Sequence, residues 1–170
     1  LLQTCFWAAD KEAARSQALL WLAFSSAFLM VQQLDSRQIR GLLNGIIATA
    51  VFQACYGFWQ TGQSPEKVLW QIKTAHAGYL TGTYMNRNHC AGFFELALGV
   101  TSGLLFYSFG RRKKKTAVVY GILYLLLAAA LIRTGSRFGF FSWGLTLGCA
   151  VIWGMVKKPS LRLPLLYLVL

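Results

Sequence analysis

Apolar stretches close to 20 residues long follow one another along almost the whole of this 170-residue chain, and charge is confined to the gaps between them. A helix that crosses about 30 Å of hydrocarbon needs about 20 residues at 1.5 Å each. That match of lengths limits the fold more than any other feature. The runs are Ala13–Val31, Leu42–Trp59, Asn88–Phe109, Ala117–Ile132 and Phe138–Val156, and a sixth begins near Leu163. They predict an all-α, polytopic transmembrane helix bundle of about five helices plus a truncated sixth. Charged residues make up 13% of the chain and apolar ones 56%, against about 25% and about 45–50% in soluble domains. With a mean hydropathy of +0.48, an ordinary soluble domain and a disordered tail are both excluded. Residue 1 is Leu and the chain stops inside an apolar run, so residues 1–170 are expected to be one partial transmembrane domain of a longer protein. No secretory signal peptide is expected, because Asp10, Lys11, Glu12 and Arg15 precede the first run and no small-residue cleavage site follows it.

Positive charge in short loops orients such a bundle. With alternating crossings, loops 32–41, 110–116 and 157–162 share one side, which holds Arg37, Arg40, Arg111, Arg112, Lys113, Lys114, Lys115, Lys157, Lys158 and Arg162. The run Arg111–Lys115 makes that side cytoplasmic. Lys11, Arg15, Lys67, Lys73, Arg87, Arg133 and Arg137 fall on the outer side, as do Asp10, Glu12, Glu66 and Glu95. The formal charge of +12 is therefore read as a topology signal, and no nucleic-acid partner is expected.

The outer side carries a long loop, 60–87. Ser64-Pro65-Glu66 resembles a helix start, with an N-cap, a proline suited to the first turn and an acid at the positive end. Val68, Leu69, Ile72, Ala75 and Tyr79 follow at helical spacing. A short interfacial helix is the expected structure, with a plain connector as the alternative. Gly92, Gly99 and Gly103, and then Gly139, Gly144 and Gly148, form small-residue stripes that predict close helix packing. Cys5, Cys55, Cys90 and Cys149 show neither CxxC nor metal-ligand spacing with His and read as small apolar fillers. No metal site is expected.

A charge at helix centre in lipid costs at least about 2.5–3.5 kcal/mol, so polar residues at helix mouths call for a reason. Two clusters lie on the outer side. Gly82-Thr83-Tyr84-Met85-Asn86-Arg87-Asn88-His89 leads into the third run, with Glu95 nearly two turns below its mouth. Arg133-Thr134-Gly135-Ser136-Arg137 is squeezed between the fourth and fifth runs. Guanidinium groups match phosphate oxygens bidentately and keep their charge, and a helix start at Asn88 adds free N–H groups. Together these residues predict an anion site at the water–lipid boundary, with Glu95 available to orient an arginine or act as a base. The plainer reading has the arginines snorkelling to headgroups and His89 as a hydrogen-bonded structural residue. The chain contains no Walker loop, GxSxG or HExxH.

The stretch Gly82–Val100, GTYMNRNHCAGFFELALGV, resembles the G-T-[FY]-x-N-x-N-x-x-A-G motif of the O-antigen ligase/O-antigen polymerase superfamily. Thr134–Trp143, TGSRFGFFSW, resembles that superfamily's S-R-G-G element, with Phe138 where the first glycine is usual. The resemblance implies a bacterial inner-membrane, multi-pass glycosyltransferase with its active face in the periplasm. Such enzymes move a glycan from undecaprenyl diphosphate to lipid A-core, to a growing polysaccharide or to protein, in lipopolysaccharide and other cell-surface polysaccharide biosynthesis. No cofactor is implied. By resemblance, Arg137 is a catalytic residue that binds the diphosphate, and Asn86, Arg87 and Asn88 share its pocket. Glu95 is the second catalytic candidate, and His89, Arg133 and Ser136 complete the substrate-binding candidates. The family's large periplasmic loop with its functional histidine falls beyond Leu170, so this stretch is expected to be incomplete and inactive alone. Two other readings stay open on the residues themselves: a transporter or flippase for an anionic lipid or solute, and a non-catalytic membrane component.

Overall fold

The computed structural model describes residues 11–157. The elements follow in the order α1 (Lys11–Gln32), α2 (Ser36–Gln63), β1 (Lys67–Val68), β2 (Gln71–Ile72), α3 (Arg87–Gly110), α4 (Lys114–Thr134) and α5 (Arg137–Lys157). The helices α1 to α4 are long and apolar enough to cross a membrane. Helix α5 occupies the expected fifth run, and the expected sixth run lies outside the described residues. By contacts the chain divides into two compact units, with the boundary inside α2 between Asn44 and Gly45.

In the first unit, α1 hands over to α2 through a capping box. Asp35 Oδ1 accepts from the Arg37 and Gln38 amides at 2.8 and 2.7 Å, and Gln38 Oε1 accepts from the Asp35 amide at 2.9 Å. These bonds satisfy N–H groups that the first turn leaves free. They start α2 six residues ahead of the apolar run, at Ser36.

In the second unit, α3 and α4 form the main antiparallel pair. Cys90, Phe94, Ala97, Leu98, Thr101 and Leu105 bury one face of α3. Tyr124, Leu127, Ala128 and Leu131 answer from α4. The opposite stripe of α4, with Val118, Ile122, Leu125 and Ile132, is equally apolar but exposed. Apolar side chains on both faces suit a helix packed on one side and wetted by lipid on the other. The turn from α3 to α4 is a Schellman closure, with the Lys113 amide on Ser108 O at 3.0 Å and the Arg112 amide on Phe109 O at 3.0 Å. Arg112 takes the left-handed position at φ 56° that glycine usually fills.

Helix α5 approaches the pair most closely at Gly139. A Cβ there would stand 3.0 Å from Ala91 Cβ and 3.2 Å from both Glu95 Oε1 and Leu131 Cδ1. Lower down, Trp143 Nε1 donates to the Tyr124 hydroxyl at 3.1 Å, the kind of interhelical bond that helps hold helices in lipid. The wider glycine stripes do not serve packing as expected. Among the described residues, Gly92, Gly99, Gly103, Gly144 and Gly148 have no neighbour against the space of a Cβ. The reason is rotational: α3 turns its Cys90–Phe94–Ala97 face to the core, which leaves the glycine face on open grooves beside Thr146.

The expected interfacial helix in the outer loop is corrected. Residues 64–86 contain no helix; they form turns around the antiparallel hairpin β1–β2, paired Lys67 with Ile72 and Val68 with Gln71. Of the apolar residues spaced for a helix face, Val68 is buried, whereas Leu69 and Ile72 are exposed. Leu69 sits at φ 52°, a conformation that breaks a right-handed helix, and its amide donates to the Tyr56 hydroxyl at 2.8 Å. The Lys73 amide bonds back to Glu66 O at 2.8 Å. Anchors from α2 thus override a helical pattern too short to hold itself.

Candidate functional site

The loop that carries the first polar cluster is seated by a stripe on α2. Gln53, Gly57 and Gln60 share one face at i, i+4 and i+7. Gly57 has no side chain, and the buried Leu80 fills that space; a Cβ at 57 would come within 2.6 Å of Leu80 Cγ. Gln60 is buried and its amide nitrogen donates to Lys67 O at 2.6 Å and Gly82 O at 3.2 Å. Its carbonyl accepts from the Thr81 hydroxyl at 3.3 Å. One turn-pair earlier, Gln53 accepts from the Thr83 amide at 2.8 Å and donates to the Thr83 hydroxyl at 2.7 Å. Gly82 must be glycine here, because it holds φ 57° and a Cβ would collide with Gln53 Oε1. The Gly82-Thr83 pair of the sequence motif is therefore a docking element for the loop.

The loop also reaches the second cluster. The Leu80 amide donates to Arg133 O at 3.1 Å, which ties the loop to the last turn of α4. Lys73 is buried, and its ammonium donates to Tyr79 O at 3.1 Å. Burial pushes that ammonium below the usual lysine range, with the Glu66 charge acting in the opposite direction. The neighbouring Tyr79 ring lies under the Arg87 guanidinium, 4.4 Å from Cζ to the ring centroid. The same ring packs on Gly135, where a Cβ would stand 2.5 Å from Tyr79 Cε1 and 3.5 Å from Arg87 Nη1. Gly135 holds φ 61° as the left-handed C-cap of α4.

The candidates from sequence separate into groups. Arg87 lies at the mouth of α3, half buried, with its Nε enclosed and without an acceptor among the described residues. The exposed Arg133 and Arg137 bracket the Gly135 turn against which Arg87 rests. None of the three has a carboxylate within ion-pair distance among the described residues, where the ion pair found is Arg15–Glu12 at 3.3 Å. Asn86 is the N-cap of α3, its Oδ1 accepting from the Asn88 amide at 2.8 Å. Ser136 performs the same office for α5, accepting from the Gly139 amide at 3.2 Å. Asn88 and His89 are exposed on the first turn of α3. Glu95 is half buried beside Gly139, roughly 12 Å down the helix from Arg87 at 1.5 Å per residue. It makes no ion pair with an arginine among the described residues.

Sequence reasoning missed Gln53, Gln60 and Tyr79 as parts of the site and counted Lys73 only among the loop charges. A signal existed: two glutamines one heptad apart, one inside an apolar run and one just past its end, with a glycine between them on the same face, mark a polar stripe that must find partners. Among the described residues no group of three His, Cys, Asp or Glu side chains could hold a metal ion.

What the arrangement can do is bind an anion. The N-termini of α3 and α5 lie on either side of the turn at Gly135, each presenting partial positive charge, and among the described residues Arg87, Arg133 and Arg137 have no carboxylate within ion-pair distance. Comparison of the chain with protein-family models, with curated proteins and with solved structures gave no match, so the functional reading rests on this loop-capped, unneutralised mouth.

Proposed function

We propose that this chain is part of an O-antigen ligase-like glycosyltransferase of the bacterial inner membrane, with the arginine-bearing mouth on the periplasmic side and α5 as a fifth span. The single observation that carries the reading is the contact of Arg87, through Tyr79, with the Arg133–Arg137 turn, with no ion pair to a carboxylate at any of the three arginines among the described residues. The glycan donor is a lipid diphosphate, and undecaprenyl diphosphate is the carrier that the sequence resemblance implies.

In the reaction, an acceptor hydroxyl oxygen attacks the anomeric carbon of the donor sugar. The bond from that carbon to the diphosphate oxygen breaks, and the acceptor proton passes to a base. Negative charge grows on the departing oxygen, where fixed guanidinium groups and helix N-termini stabilise it more than they stabilise the ground state. Arg137 and Arg133, on the turn, and Arg87, across it, are assigned that task. Asn86 and Ser136 hold the two helix N-termini in place. Glu95, beside Gly139 near the start of α5, is assigned the role of orienting an arginine or acting as the acceptor's base.

The test uses the full-length protein in cells that need its activity. Arg137→Ala should abolish glycan transfer with membrane expression unchanged, while Arg111→Ala on the opposite loop leaves transfer intact. Full transfer by the Arg137→Ala protein would refute the assignment.

A further inference from the structure

We propose that Tyr79 is a positioning residue: its ring is a plate that holds the Arg87 guanidinium against the Gly135 turn, so that docking of the outer loop and readiness of the arginine are one event. The ring touches both partners at once. Arg87 Cζ lies 4.4 Å from its centroid, and Gly135 leaves no room for a Cβ beside Tyr79 Cε1 and Cδ1, at 2.5 and 2.7 Å. A side chain at Gly135 is thus disfavoured twice, by the φ of 61° and by the ring it would have to displace.

The plate is itself held from behind. Tyr79 O accepts from the buried Lys73 ammonium at 3.1 Å, and the Tyr79 amide donates to His76 O at 3.2 Å. The next amide, Leu80, is bonded to Arg133 O at 3.1 Å. A free arginine side chain samples many rotamers, and immobilising it reduces what an anion must order on arrival. The enclosed Nε of Arg87 means that this ordering is already built into the protein. The effect on anion binding rests on the reading of the mouth as an anion site; the plate itself rests on the loop geometry.

The experiment uses the full chain in lipid nanodiscs. Phenylglyoxal modification of each arginine is followed by mass spectrometry with and without inorganic pyrophosphate, taking exposed Arg37 as the reference. Tyr79→Leu should raise the rate of Arg87 modification about fivefold, the upper end for a lost, solvent-exposed cation–π contact, and should weaken protection by pyrophosphate. Tyr79→Phe keeps the ring face and should stay within about twofold of the native protein. Gly135→Ala should behave like Tyr79→Leu, because the added Cβ displaces the ring. Hydrogen exchange at the Leu80 amide reports the loop in every variant and should remain protected. Equal Arg87 reactivity across the native, Phe and Leu proteins overturns the proposal. So does release of Arg87 only together with the Leu80 amide in both Tyr79→Leu and Gly135→Ala. Pyrophosphate that fails to protect Arg87 in the native protein, with the variant series as expected, overturns the anion reading and leaves the plate standing.

Discussion

Replacing Gln60 by Leu should loosen the loop at residues 64–86 without disturbing the α3–α4 pair. Gln60 is 1% exposed and donates to Lys67 O at 2.6 Å and to Gly82 O at 3.2 Å. Leucine fills similar space but strands both carbonyls. Each stranded acceptor costs about 1–2 kcal/mol, the lower part of the usual range, because a carbonyl has a second lone pair. The sum is about 2–4 kcal/mol, and the added apolar burial offsets about 1 kcal/mol. A remainder of about 1–3 kcal/mol raises the population of the undocked loop by roughly 5- to 140-fold, at a factor of ten per 1.4 kcal/mol. Hydrogen exchange in nanodiscs reads this directly at the Lys73 amide, bonded to Glu66 O, and the Leu80 amide, bonded to Arg133 O. Their protection should fall by that factor while the amides of Leu98–Thr101 in the α3 core keep theirs. Less than a twofold change at Lys73 and Leu80 would show that the glutamine stripe does not seat the loop.

Two further outcomes are expected. The Lys73 ammonium is held below the usual lysine range by burial, so the undocked loop binds more protons between the lowered value and the ordinary 10.5, and docking strengthens as pH rises through that window. Loop-amide protection, corrected for intrinsic exchange, should climb toward pH 10.5 in the native protein and stay flat in Lys73→Met; a fall over the same range in the native protein would reverse the assigned sign. Gly139→Leu should part α5 from α3 and α4, because even a Cβ meets Ala91 at 3.0 Å and overpacking of this kind costs about 1–3 kcal/mol. Loss of the Trp143–Tyr124 bond, read as a shift in Trp143 fluorescence, reports it, and an unchanged spectrum in an otherwise folded protein would contradict the close approach.

The helices were legible where burial in lipid and backbone hydrogen bonding ask for the same thing. The expected run Asn88–Phe109 became Arg87–Gly110 and Phe138–Val156 became Arg137–Lys157. Ends set by polar caps were harder. Helix α2 begins at Ser36 through the Asp35 capping box and runs on to Gln63, past the apolar run, where Gln60 is held by the loop. The arginine clusters were also legible as a pair at one face, since each charge in so apolar a chain stands out. Their internal division was not. Asn86 and Ser136, binding candidates in the motif, each cap a helix in the structure, a role that local pattern alone does not reveal.

The sequence by itself determined that this chain forms a series of apolar helices, because a run of side chains suited to hydrocarbon must satisfy its own backbone within the run. Only the tertiary structure decided the outer loop. Its conformation depends on bonds between residues 22 and 30 positions apart, from Gln60 to Gly82 and from Gln53 to Thr83, and no local pattern encodes a partner at that distance. The same holds for Arg87, whose place on the Tyr79 ring follows from how that loop is anchored. Helices in lipid are local solutions to a local requirement; a polar site at their mouth exists only once distant segments have been brought together.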